Sequence, residues 1–127
     1  MKQDAFARLQ QVATLKYQRD QRSFAEQAQR ETDLRLKIKQ LNDHEKSTNL
    51  TVPAIDPFAR SGAILPWQSW VAKSRNQLNI ELAQVLARKE SLRGALQKSF
   101  GQKEALAALK RKEAAARKRQ AASRLLG

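Results

Sequence analysis

Residues 3–46 contain neither glycine nor proline, and their apolar side chains recur at alternating steps of three and four residues. That spacing places the side chains along one stripe of a helix and is the heptad pattern of coiled coils. We call this stripe the seam of the helix. It consists of two columns, Phe6, Ala13, Asp20, Gln27, Leu34 and Leu41 in one, and Gln10, Tyr17, Phe24, Glu31, Ile38 and Glu45 in the other. Because the seam is narrow and polar through its middle, the helix needs a partner helix to be stable.

A second heptad pattern follows Pro66 and continues to about Leu125. Pro66 suits the first position of a helix, where its missing N–H is not needed. The seam of this helix reads Val71, Leu78, Val85, Leu92, Ser99 and Leu106 in one column, and Leu82, Lys89, Leu96 and Lys103 in the other. Between the helices, residues 47–65 hold two prolines, one glycine and a Ser-Thr-Asn cluster, which predict a connection. Parts of this connection are expected to pack onto the helices, because it contains the apolar residues Leu50, Val52, Ile55, Phe58, Ile64 and Leu65.

These patterns predict an all-α fold, a long antiparallel two-helix coiled-coil hairpin with a partly ordered connection. Residues 1–127 form one domain in this prediction, with a helix over 3–46, a connection over 47–65 and a helix over 66–125. The longer second helix is expected to extend past the first and to carry charge on the extending part. The same seam also permits a bundle formed between chains.

Several classes of function are disfavoured by composition. The chain has no cysteine and no stretch near the ~20 apolar residues that span a bilayer. No signal peptide is expected, since no apolar run follows Met1–Arg8. The single histidine, His44, is interpreted as a surface residue near the end of the first helix, because no nucleophile, orienting group or ligand set accompanies it. We therefore expect no enzyme, no metal or other cofactor and no small-molecule substrate, and we expect a cytoplasmic location.

Positive charge is concentrated in the last quarter of the chain. The formal net charge is +13, and residues 98–127 hold nine Lys or Arg against two Glu. Such a patch attracts phosphates, acidic lipid head groups or an acidic protein surface. A solvated helix end, with cations near the C-terminal dipole, is the simpler alternative. The core of the patch is the run KRKEAAARKR, with the candidate partner-binding residues Lys110, Arg111, Lys112, Arg117, Lys118 and Arg119.

Both tryptophans lie at the start of the predicted second helix. Trp67 and Trp70 are three residues apart, on adjoining faces of the first two turns. Val71 belongs to the seam, so one tryptophan is expected to help hold the hairpin together while the other is partly exposed. Exposed aromatic residues at a fixed place are typical of protein-binding hot spots. In the alternative interpretation, both rings pack against the connection.

The motif Trp67-Gln68-Ser69-Trp70-Val71, on a basic chain with two long helices, resembles the FliJ family of flagellar export proteins and the YscO-type proteins of virulence secretion systems. The resemblance implies an antiparallel coiled coil that binds the export ATPase hexamer, the export gate membrane protein and export chaperones, in bacterial flagellum biogenesis or type III secretion. It also implies a location at the inner membrane, by peripheral association. Carried over by position, the gate-contacting surface is Trp70, Ser74, Gln77 and Glu81, next to Trp67, Gln68 and Val71. Ser74 departs from the family, in which an apolar residue is usual there.

The leading hypothesis is therefore a stalk or adaptor of a protein-export apparatus. In it, the two chain ends enter the ATPase ring and the end that carries Trp70 engages the gate. A basic helical protein that binds nucleic acid or the ribosome is the alternative. It is not favoured, because no aromatic residue is interleaved with the basic run. A third hypothesis is a structural coiled coil in a phage or cell-envelope assembly.

Overall fold

Two helices make up the fold. The structure is a computed structural model that describes residues 2–51 and 57–127, with the side chains of residues 3–50, 62 and 64–127. Helix α1 is Lys2–Thr51 and helix α2 is Pro57–Leu126. Asp4 in the first turn of α1 and Arg124 in the last turn of α2 suit the helix dipoles. The helices pack against each other as an antiparallel hairpin, which confirms the predicted all-α coiled-coil hairpin.

The helix bounds differ from the predicted ones. Helix α1 continues through the Ser-Thr-Asn cluster to Thr51, because these residues lower helix propensity only slightly and the next proline is Pro53. Helix α2 begins at Pro57 rather than at Pro66, which lies inside it. A proline suits the first position of a helix, and Pro57 meets that condition earlier in the chain. An interior proline removes one backbone hydrogen bond and costs about 3 kcal/mol, which a helix of 70 residues tolerates.

The contacts divide the hairpin into two compact units, each with one segment of α1 and one of α2. Met1–Ala25 and Ser91–Gly127 form the terminal unit, and Glu26–Glu90 form the central unit. Among the described side chains, the buried ones are Ala13, Asp20 and Ser99 in the terminal unit and Leu34, Val71 and Val85 in the central unit. All six belong to the predicted seam, including the two polar ones. The heptad columns therefore predicted the interior of each unit correctly.

Both units keep a regular heptad pairing. In the terminal unit, the Lys103 ammonium lies 5.1 Å from the Tyr17 ring centroid, and Lys110 Nζ donates a hydrogen bond to Gln10 Oε1 at 3.2 Å. These two pairs are seven residues apart on both helices. In the central unit, Glu31 pairs with Lys89 and Glu45 pairs with Arg75, fourteen residues apart on both helices. The heptad register of both helices is therefore unbroken between the two pairs of each unit.

The apolar residues of the predicted connection differ in exposure. Leu50 and Leu65 are exposed, whereas Ile64 is half-buried. Val52 and Ile55 lie outside the described residues, as does the side chain of Phe58. The basic run was expected on a part of α2 that extends past α1. Because Lys110 bonds to Gln10, and Arg117 and Lys118 line a groove with Gln3, that run instead lies beside the first turns of α1.

Candidate partner-binding surfaces

One surface of the central unit contains both tryptophans. We call it the tryptophan groove. From α2 it is lined by Trp67, Trp70, Lys73, Ser74, Gln77, Leu78 and Glu81, and from α1 by Lys37, Gln40, Leu41 and His44. The structure thereby brings together four of the residues predicted for the gate contact, Trp70, Ser74, Gln77 and Glu81, with Trp67 beside them.

The two tryptophans differ in their surroundings. Trp67 is half-buried, and its ring centroid lies 6.0 Å from that of His44 in a near edge-to-face arrangement at 67°. Aromatic rings favour this geometry. Trp70 is 57% exposed. The first tryptophan thus joins the two helices, and the second presents a large apolar surface on the rim of the groove.

Two residues of the predicted partner-binding motif lie elsewhere. Val71 is only 2% exposed, since it is a seam residue packed between the helices. Its predicted role as a partner contact is therefore wrong. Gln68 is exposed but does not line the groove described above.

The contribution of α1 to this groove was missed in the sequence. Lys37, Leu41 and His44 line it together with the tryptophans. The interpretation of His44 as an exposed residue holds, but α1 continues seven residues beyond it to Thr51, so it does not lie in the last turn. The seam columns contained the missing signal, because pairing Leu41 with Leu78 places the neighbouring His44 beside the segment of α2 that follows Trp70.

A second surface, in the terminal unit, is positively charged. We call it the basic groove, and it is lined by Gln3 of α1 and by Lys110, Ala114, Arg117, Lys118 and Ala121 of α2. Three cations and no acidic residue line it. Arg117 Nη2 lies 3.8 Å from Glu113 Oε1, one turn earlier on the same helix. Three of the six predicted basic residues thus share one groove, while Arg111, Lys112 and Arg119 are exposed outside it.

The cations with which α2 contacts α1 have different partners in the two units. In the central unit, Lys89 Nζ lies 2.7 Å from Glu31 Oε1, and Arg75 forms an ion pair with Glu45. In the terminal unit, Lys103 faces the ring of Tyr17 and Lys110 bonds to the neutral side chain of Gln10. Positive charge is therefore neutralised across the helices in the central unit, and it is not neutralised in that way at Lys103 and Lys110.

Metal binding and membrane insertion find no support in the described part of the chain. Among residues 2–51 and 57–127, no three His, Cys, Asp or Glu side chains lie close enough together to hold a metal ion. Neither helix, over those same residues, has a segment apolar enough to cross a bilayer.

Comparison of the chain with models of protein families, with curated proteins and with solved structures gives no match.

Proposed function

We propose that this chain is an adaptor of a flagellar or type III protein-export apparatus, of the kind that the FliJ and YscO families provide. It binds the export ATPase hexamer and the export gate membrane protein and assists the cycling of export chaperones. It acts by binding rather than by catalysis, in the cytoplasm and by peripheral association with the inner membrane. Each of the two grooves would serve a different partner.

The exposure of Trp70 carries this proposal. The ring is 57% exposed, in the motif that resembles the family, and it lies beside a half-buried Trp67. A large, rigid aromatic residue with apolar neighbours is the usual anchor of a protein–protein contact. We assign the tryptophan groove to the gate, with Trp67, Trp70, Ser74, Gln77 and Glu81 as its contacts.

The basic surface of the terminal unit is assigned to the export ATPase. Its exposed cations, Lys110, Arg111, Lys112, Arg117, Lys118 and Arg119, would accelerate encounter with an acidic partner and orient the chain as it binds. This part of the proposal predicts that binding weakens as the salt concentration rises.

The proposal is tested with purified export ATPase and the cytoplasmic domain of the export gate. We expect the chain to form a complex with the ATPase in size-exclusion chromatography and to increase ring assembly or ATP turnover. We expect Trp70→Ala to weaken gate binding and to leave ATPase binding unchanged. Ile80→Ala is the matched control, because Ile80 is also exposed on α2 but lies outside the tryptophan groove. Absence of both complexes would contradict the proposal.

Nucleic-acid binding is the second candidate function. It is favoured by the exposed cations of residues 110–119 on a helix, which suit sequence-independent contact with phosphates. It predicts binding to RNA or DNA that weakens steeply with salt and is lost when Lys110, Arg111, Lys112, Arg117, Lys118 and Arg119 are all changed to Gln. Unchanged binding in that variant would exclude this function for the basic run.

A further inference from the structure

The basic groove has the repeat of a helix-binding surface. Its cations Lys110 and Arg117 are seven residues apart, and so are its alanines, Ala114 and Ala121. Side chains with this spacing lie above one another on one face of α2. Alanine side chains are small, so the backbone of another helix can approach closely between the cations. The groove thus has cations, and small side chains that allow another helix to approach, both repeating every seven residues.

The basic groove lacks the acidic partner that a cation of α2 has in the central unit. At the equivalent seam position in the central unit, Lys89 meets the carboxylate of Glu31 across the hairpin. In the terminal unit, Lys110, three heptads further along α2, instead donates a hydrogen bond to the amide oxygen of Gln10. None of the described residues that line the basic groove is acidic, and the carboxylate near Arg117 is that of Glu113 on the same helix. The acid that α1 supplies in the central unit must come from another molecule if it is present here.

We propose that the basic groove binds an acidic α-helix of a partner protein, whose Asp or Glu residues recur every seven residues and pair with Lys110 and Arg117. This inference rests on the proposed function, which assigns the basic surface to a protein partner. It adds that the partner contributes an acidic helix, which packs on the terminal unit as a third helix. Lys118 lies one residue beyond Arg117 and lines the groove as a further contact.

The probe is a synthetic helical peptide that carries Glu at one heptad column and Leu and Ala at the neighbouring columns. A peptide of the same composition in scrambled order is its control. Two double variants of the full chain each lose two positive charges. Lys110→Gln with Arg117→Gln alters the groove, and Lys112→Gln with Arg119→Gln alters exposed cations outside it, also seven residues apart. Circular dichroism verifies that both variants remain helical.

We expect the heptad peptide to bind the wild-type chain, and the scrambled peptide to bind much more weakly, in isothermal titration calorimetry. The groove variant should lose roughly tenfold in affinity, because two exposed ion pairs are removed, while the variant outside the groove should lose less than about threefold. Equal losses in the two variants, or equal binding of the two peptides, would show that net charge alone is recognised and would overturn the inference. Binding to RNA or to anionic vesicles with no binding of the heptad peptide would overturn it too.

The same samples separate this inference from the proposed function. If the export ATPase binds the wild type and both double variants equally while the heptad peptide does not bind, the acidic-helix inference is wrong and the adaptor function stands. If the peptide binds with the expected ranking and neither the ATPase nor the gate domain binds, the inference stands and the adaptor function is wrong.

Discussion

Glu31 and Lys89 face each other across the two helices of the central unit, with 2.7 Å between Glu31 Oε1 and Lys89 Nζ. Arg35, one turn further along α1, also reaches Glu31, and its Nε lies 2.8 Å from Oε2. Both oxygens of one carboxylate are thus held by cations. The side chains of Glu31 and Lys89 are mostly shielded from solvent. This ion pair therefore contributes more to the stability of the fold than the ion pairs at the surface do.

We expect Glu31→Gln to lower the melting temperature at neutral pH and to have no effect in acid. The hydrogen bond from Lys89, followed by that from Arg35, lowers the pKa of Glu31, although burial acts in the opposite direction. A lowered pKa in the folded state adds stability above the ordinary glutamate value of about 4.3, and this stability is lost as the pH falls through the lowered pKa. Thermal unfolding followed by circular dichroism at pH 7 and at about pH 2 measures both effects.

Glu26→Gln is the control for that experiment, because Glu26 is exposed and its substitution removes the same charge. An equal loss of stability in the two variants at pH 7 would mean that net charge, rather than the Glu31–Lys89 pair, is responsible.

We expect Val85→Ala to be more destabilising than Leu86→Ala, although leucine is the larger side chain. Val85 is 0% exposed in the seam, whereas its neighbour Leu86 is 39% exposed. Loss of the buried methyl groups lowers the free energy of unfolding by about 2 kcal/mol, against less than about 1 kcal/mol at Leu86. Urea unfolding of the two variants measures the difference. The reverse order would contradict the heptad seam of the central unit.

Gln27→Leu is expected to stabilise the hairpin. Gln27 is a seam residue, and its buried side-chain oxygen has no hydrogen-bond partner among the described residues. A buried acceptor without a partner costs about 1–3 kcal/mol, so an apolar side chain at this position should raise the free energy of unfolding by about 1 kcal/mol. Gln18→Leu, at an exposed position of α1, should leave stability within about 0.5 kcal/mol of the wild type. Denaturant unfolding of both variants checks the prediction, and a gain confined to Gln18→Leu would contradict it.

The tryptophans are expected to differ in their effect on stability. Trp67→Ala should lower the melting temperature, because it removes the contact with His44 that joins the helices. Trp70→Ala should leave the melting temperature unchanged, because that side chain is mostly exposed. Differential scanning calorimetry of the two single variants provides the measurement. A larger loss in Trp70→Ala would mean that the ring packs inside the hairpin.

Cross-linking is expected to report the pairing of the terminal unit within one chain. The sequence has no cysteine, so a Gln10→Cys and Lys110→Cys variant has only the two introduced thiols. A short bismaleimide should join them and yield a monomeric band with altered mobility in denaturing electrophoresis. Gln10→Cys with Lys112→Cys is the control, since Lys112 is exposed outside the basic groove. Cross-linked dimers in place of the altered monomer would indicate pairing between chains.

Periodicity predicted the interior of this fold better than hydrophobicity alone could have. Asp20 and Ser99 were assigned to the seam because of their position in the heptad columns, and both are buried. The helix ends were harder to predict. A proline suits the first position of a helix wherever it falls, so the sequence alone does not distinguish Pro57 from Pro66 as the start of α2. The tryptophan groove was half predicted, because residues from α1 enter it only once the two helices are aligned.

The buried pair of polar residues in the terminal unit also limits how the two helices can slip past each other. Asp20 and Ser99 are the next seam residues after the Tyr17–Lys103 pair on their respective helices, so they share a layer. Slippage by one heptad in either direction would put Asp20 opposite Leu92 or Leu106 and force a carboxylate against an aliphatic chain, away from water. In the aligned arrangement both polar groups have partners, because Arg19 Nη2 lies 3.7 Å from Asp20 Oδ1 and Ser99 Oγ donates a hydrogen bond to Leu96 O. A heptad pattern alone would allow several alignments of the two helices. The two buried polar residues therefore favour a single alignment.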